Sequence, residues 1–177
     1  MLKSNHILWT LGISPWIFNF LNYELSIIII LSIITSLMSS LPDIDQKIVR
    51  YFKKLNFKTL YLTYPIYIIV KLIFKHRTIT HSLFIPIAIL ISVNLLQYNI
   101  YLEYFLISVS SALILHIFED CMTIAGVKIF WPIPIKVKLA NFRTASNWDN
   151  TVLHIIGLLI LLSFPFYYFR LLELIKF

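Results

Sequence analysis

Two histidines, an arginine and three hydroxyl side chains fall within seven consecutive positions, His76-Arg77-Thr78-Ile79-Thr80-His81-Ser82. The stretch directly precedes an apolar run in a chain that is 59% hydrophobic and only 13% charged. Imidazole nitrogens bind transition metals, and a guanidinium is suited to a bidentate contact with phosphate or carboxylate. A capping role for Thr80 or Ser82 at the next helix would explain the hydroxyls but not the histidines and the arginine. Because such groups are costly beside hydrocarbon, their concentration indicates a functional site.

A second pair of polar residues, His116 and Asp120, lies near the end of another apolar run. Residues four apart share one face of a helix, so both side chains could reach one ion. An unpaired imidazole inside an apolar span is costly, which favours a functional role. The alternative is a histidine that hydrogen-bonds to a neighbouring helix.

Two carboxylates, Asp43 and Asp45, follow Pro42 directly after an apolar run. In an extended segment, residues two apart point the same way, and carboxylates that converge repel each other unless a cation lies between them. A solvated helix exit, or an N-cap formed by Asp45, explains this pair equally well when it is considered alone. Asp149, at the start of the last apolar run, is likewise expected to cap a helix.

The apolar runs predict an all-α integral membrane bundle that forms a single domain over 1–177. A soluble domain is about 25% charged, and a spanning helix needs about 20 mostly apolar residues, with ~17 as a lower limit. We expect four to five spanning helices, over 25–41, 82–98, 101–118, 151–169 and, as a short fifth segment, 7–21. Segment 60–74 is expected to form an interfacial helix, because Pro65 and Lys71 interrupt it.

The distribution of positive charge orients this bundle. Segments 42–58 and 119–150 carry five and four Lys or Arg residues, whereas the turns at 22–24 and 97–101 carry none. The positive-inside rule therefore places the two basic segments in the cytoplasm. The polar, site-bearing segments 42–81 and 116–150 then meet at the cytoplasmic face. We interpret the net charge of +7 as a contact with anionic lipid, and expect no nucleic-acid partner.

Mixed histidine and aspartate ligands favour zinc, with manganese or iron as alternatives, over calcium. More than four such residues suggest two ions, which could support an in-line displacement at phosphorus. The surrounding Lys and Arg residues favour an anionic substrate. The sequence leaves the oligomeric state undetermined.

Several motifs, in this order and spacing, resemble the YdjM family. These are His6, Leu-Pro-Asp-Ile-Asp at 41–45, His-Arg-x-x-Thr-His-Ser at 76–82, His116-x-x-x-Asp120, Met122-Thr123-x-x-Gly126-Val127 and Trp131-Pro132. The resemblance covers about residues 5–150. It implies a multi-pass protein of the bacterial inner membrane that acts as a metal-dependent hydrolase, with some members under LexA control. A more distant similarity is to zinc-dependent phospholipase C and related zinc-dependent nucleases.

The two resemblances imply roles for individual residues. Catalysis would involve His76 as a ligand or general base, Arg77 as the phosphate contact, and Asp45. The expected metal ligands are His6, Asp43, Asp45, His81, His116 and Asp120. The substrate would be a phosphoester of a lipid, or a lipid-linked anion, at the cytoplasmic leaflet. The chain departs from these families at Leu115, where many relatives have serine, and at Asp149, where the usual acidic residue is a glutamate.

Two other functions compete with the hydrolase. A metal-binding transporter should show polar groups in the middle of the bilayer and inverted repeats, whereas here the polar groups gather at one surface. A structural membrane protein would use the same polar cluster to hold helices together and would bind no metal.

Overall fold

The computed structural model describes residues 3–43, 79–144 and 146–175, with side chains as far as residue 170. Within these ranges the chain forms five α-helices, one 3-10 turn and two isolated β-bridges, but no strand. The helices are α1 (Lys3–Phe20), α2 (Leu25–Met38), α3 (Phe84–Leu95), α4 (Ile100–Cys121) and α5 (Asn147–Ile175), and the 3-10 turn is Ile79–His81. The all-helical prediction is therefore confirmed for the described residues. The expected interfacial helix over 60–74 lies outside them.

Two of these helices are long and apolar enough to cross a membrane, namely Ile100–Cys121 and Asn147–Arg170. The predicted spans over 25–41 and 82–98 contain shorter apolar helices of 14 and 12 residues. At 1.5 Å per residue these are only about 20 Å long, against a hydrocarbon core of about 30 Å. The count of four to five spans therefore stays a prediction.

Local sequence signals explain where the helices begin and end. The Asn99 side chain caps α4 by accepting the backbone N–H of Leu102 at 2.9 Å. Asn22 adopts a left-handed conformation with φ of 62°, which suits asparagine and turns the chain from α1 towards α2. Ser146 accepts the N–H of Asp149 at the start of α5. The expectation that Asp149 caps this helix is therefore wrong: its carboxylate accepts the backbone N–H of Arg143 at 2.7 Å.

Helix α1 packs between α2 and α5, and α4 packs against both α2 and α3. The α1–α5 contact is close because it is built on glycines. A Cβ at Gly12 would lie 3.0 Å from the backbone nitrogen of Leu161, and one at Gly157 would lie 2.8 Å from Trp9 Cδ1. Small residues allow helices in lipid to approach closely and gain dispersion energy. This packing places the N-terminal half of α1 beside the C-terminal end of α4.

The segment after α4 folds back over the same end of the bundle. Val127 exchanges backbone hydrogen bonds with Val137, and Leu139 N–H donates to the carbonyl of Cys121 at 2.7 Å. Leu83 N–H donates to the carbonyl of Ile129 at 2.9 Å, which ties this loop to the start of α3. The fold thus brings the 3-10 turn, the end of α4 and the start of α1 together.

Candidate metal centre

Three histidines and two aspartates from four separate elements converge at this end of the bundle. His6, His81, His116 and Asp120 are at most 2% exposed, whereas the Asp43 side chain is 27% exposed. The ligand atoms form two groups, and within each group they lie within 4.8 Å of one another. One group is His6, His116 and Asp120. The other is Asp43, His81 and His116, so the two groups share His116. The pocket is therefore closed on most sides and most accessible beside Asp43.

Four ligand atoms of this cluster lie close together. His81 Nε2 lies 3.3 Å from His116 Nε2 and 3.5 Å from Asp120 Oδ2. Asp43 Oδ1 lies 4.0 Å from each of the two imidazole nitrogens, and His116 Nε2 is also 4.0 Å from Asp120 Oδ2. Ligands 2.0–2.2 Å from a tetrahedral zinc are about 3.3–3.6 Å apart. Two of the five separations fall in this range and three, at 4.0 Å, exceed it, so small shifts of these side chains would let them hold a transition-metal ion.

His6 faces the second oxygen of the Asp120 carboxylate. Its Nε2 lies 3.6 Å from Asp120 Oδ1, and its ring stacks on that of His116 with the centroids 4.2 Å apart. Both ligand groups include His116, but one imidazole nitrogen binds only one ion. His116 could therefore be a ligand in only one of the two groups at a time. The Asp120 carboxylate, in contrast, presents one oxygen to His6 and the other to His81. Asp120 therefore has the position of a bridging carboxylate between two neighbouring ligand groups.

Two of the imidazoles have a contact at their outer side. His6 Nδ1 lies 2.5 Å from Glu119 Oε2, and His81 Nδ1 lies 2.9 Å from the hydroxyl of Thr80. His116 Nδ1 is buried and makes no hydrogen bond among the described residues. A metal-binding histidine usually donates its other N–H to such a group, which fixes the tautomer and the ring orientation.

Glu119 is the residue that the sequence analysis missed. It is fully buried, and its carboxylate also accepts the hydroxyl hydrogen of Thr10 at 3.1 Å. Both oxygens are thus engaged by α1, 109 and 113 positions away in sequence. A signal was present, because Glu119 stands directly beside Asp120 at the end of an apolar helix, where a buried carboxylate is costly.

Three predicted site residues are not described by the structure, and two other residues of ligand type lie outside both ligand groups. Asp45, His76 and Arg77 lie outside the described residues, so their roles stay predictions. His154 is exposed, and its Nδ1 lies 3.2 Å from Asn5 Oδ1, next to the cluster but outside both ligand groups. Cys121 packs in an apolar cluster with Ile117 and Val127.

The fold and the cluster together define a class of protein, a helical membrane protein with a buried histidine–aspartate centre at one end of its bundle. The sequence model of the YdjM inner membrane protein family matches residues 1–173. The chain therefore belongs to the YdjM family of inner membrane proteins, as its motifs predicted. Neither the curated proteins nor the solved structures contain a significant match to it.

Proposed function

We propose that this protein is a metal-dependent hydrolase that cleaves a phosphoester of a lipid or lipid-linked substrate at the membrane surface. The observation that carries the proposal is the convergence of four ligand side chains: His81 Nε2 and His116 Nε2 lie 3.3 Å apart, and the carboxylates of Asp43 and Asp120 lie 3.5–4.0 Å from them. Imidazole nitrogens and carboxylate oxygens gathered this closely are the donor set of a divalent transition-metal site. Zinc fits these donors, with manganese or iron as alternatives.

The residues of the chain have separable roles in this proposal. Asp120 lies between the two ligand groups, while Glu119 and Thr80 orient the rings of His6 and His81. A bound divalent ion would polarise a phosphoryl oxygen and lower the pKa of a water molecule. Asp43, as the most exposed ligand, marks the side from which substrate enters.

Three residues outside the described ranges complete the proposal. Arg77 would hold the substrate phosphate through paired hydrogen bonds, and His76 would serve as a further ligand or as the general base. Asp45 would be an additional ligand. A further carboxylate would favour a second ion, because two-metal phosphoesterases use more carboxylates than one ion needs. The basic segments favour a cytoplasmic orientation of the centre.

The proposal is tested by elemental analysis of protein purified in detergent. Wild type, His116→Ala and Asp120→Ala are compared with His154→Ala, which removes a histidine outside both ligand groups. We expect stoichiometric zinc, manganese or iron in wild type and His154→Ala, and its loss in the other two, with helicity by circular dichroism unchanged. Wild type and His154→Ala should also hydrolyse a chromogenic phosphoester that the two ligand variants leave intact.

Two results would contradict the proposal. Metal-free wild type, prepared without chelators, together with aggregation of the ligand variants, would identify the cluster as a structural polar network. Stoichiometric metal without turnover of any phosphomonoester or phosphodiester would leave a metal-binding membrane protein that is not a hydrolase of this class.

A further inference from the structure

A small apolar cavity opens beside the candidate metal centre. It has a volume of about 290 Å³ and lies between the 3-10 turn, the first turns of α3 and the loop after α4. Its walls include Ile79, Ser82, Ile85, Ala88 and Trp131. Two of these residues flank the candidate ligand His81 closely in sequence, since Ile79 begins its 3-10 turn and Ser82 follows it. The cavity and the centre therefore share one structural element.

The chemistry of the cavity walls suits hydrocarbon and not a polar headgroup. The hydroxyl of Ser82 donates to the backbone carbonyls of Ile129 and Trp131, at 3.4 and 3.3 Å, so it is not available to a ligand. The remaining walls are carbon. Pockets for whole small ligands measure about 300–1,000 Å³, so this volume holds one alkyl chain and excludes a complete diacyl lipid.

The cavity is continuous with an exposed apolar surface on α3, because Phe84 belongs to both. Phe84, Ile87 and Ile91 are 43–53% exposed on this helix, and the chain belongs to an inner membrane family. Helix α3 rises about 6 Å from Phe84 to Ala88, away from the polar end of the bundle. Trp131, in the wall of the cavity, is a residue type that is enriched where membrane meets water. An alkyl chain could enter sideways from the bilayer without crossing water.

We infer that this cavity binds the proximal part of one alkyl chain of a membrane lipid whose phosphate lies at the candidate metal centre. The inference rests on the proposed function for the identity of the lipid as substrate. In this arrangement two sites recognise the substrate: the polar centre holds the phosphate, and the apolar cavity holds one alkyl chain. Substrates without an alkyl chain should then be cleaved without help from the cavity.

The test is photolabelling in phosphatidylcholine nanodiscs with a phosphatidylglycerol that carries a diazirine near the start of one acyl chain. Ala88→Phe fills the cavity from an exposed position, and Ile87→Phe places the same ring on the neighbouring exposed position outside the cavity. In wild type and Ile87→Phe we expect labelled peptides that contain Ile85, Ala88 or Trp131. In Ala88→Phe the labelling should fall about tenfold, since each buried methylene contributes roughly fourfold to affinity.

Turnover provides a second readout on the same variants. Ala88→Phe should slow hydrolysis of a long-chain phospholipid about tenfold and leave a chainless phosphoester such as p-nitrophenyl phosphate unaffected, while Ile87→Phe changes neither. Labels spread evenly over the exposed faces of α3 and α4 in all three proteins would overturn the cavity assignment, even if the protein proves to be a hydrolase. Labels confined to the cavity, with no metal and no turnover, would support the lipid site while the proposed function fails.

Discussion

The two ends of this bundle bury their side chains by different means. At the end that contains His6 and Asp120, buried residues meet through directional polar contacts of 2.5–3.6 Å. At the opposite end, Phe18, Ile28 and Phe164 form an apolar core, with partly buried aromatic and aliphatic side chains packed around it. Hydrogen bonds weaken steeply once the donor angle falls below about 120°, whereas apolar burial has no preferred angle. Directional polar contacts therefore fix the side-chain arrangement at the polar end, whereas close packing fixes it at the aromatic end.

The aromatic end also shows what an interfacial environment does to a polar side chain. Tyr23 stacks edge-on with Tyr104 at a centroid distance of 5.8 Å. Partial burial raises the pKa of Tyr23, and the neighbouring Glu103 carboxylate raises it further. The phenol thus stays neutral at physiological pH and adds packing area without charge.

The largest effect on stability is expected at the aromatic end. Phe18→Ala removes a fully buried ring and should lower the free energy of unfolding by up to about 3–5 kcal/mol, measured by unfolding in mixed detergent micelles. Phe20→Ala, two positions along the chain and 83% exposed, is the matched control and should change little. Metal content of the Phe18→Ala protein that remains folded should equal that of wild type. Loss of metal in this variant would show that the two ends are coupled.

A smaller effect, confined to the polar end, is expected from Glu119→Gln. The amide keeps the shape of the side chain but replaces one of the two carboxyl oxygens that contact His6 Nδ1 and the Thr10 hydroxyl. Changes of this kind next to a ligand lower metal affinity about 10–100-fold, which competition with a chromogenic chelator would measure.

Glu103→Gln provides the control for Glu119→Gln, because it neutralises an acid at the opposite end of the same helix. Its metal affinity should match that of wild type. Unchanged affinity in Glu119→Gln would contradict the positioning role of Glu119 and leave its contact with His6 a purely structural one.

The smallest effect is expected where α1 and α5 touch between the two ends. Gly157→Ala places a Cβ 2.8 Å from Trp9 Cδ1, and Trp9 is fixed because its indole N–H donates to the carbonyl of Leu153 at 2.7 Å. Overpacking of this kind typically destabilises by about 1–3 kcal/mol, and we expect the lower part of that range because α1 can shift. Ile155→Ala, at an exposed position of α5, is the control in the same unfolding experiment. A more stable Gly157→Ala protein would show that this contact is loose.

The class of the protein and several residues of the candidate centre could be predicted from apolar runs, local spacing and the family motifs. Apolar runs of membrane length predicted α4 and α5 because hydrocarbon forces the backbone to satisfy its own hydrogen bonds. The spacing of His116 and Asp120 predicted their shared face, since helix geometry is local. Their Nε2 and Oδ2 atoms are 4.0 Å apart.

The distant residues that complete the centre could be identified only from the way the helices pack together. The contacts of Glu119 with His6 and Thr10 span more than a hundred positions and depend on how closely α1 approaches the rest of the bundle. The family motifs singled out His81 as a ligand, but no local spacing says which residues His81 or His154 meets. Packing places His81 against Asp120 and leaves His154 outside, exposed and bonded to Asn5. Long-range packing is a collective property of the whole chain, and no local spacing specifies it.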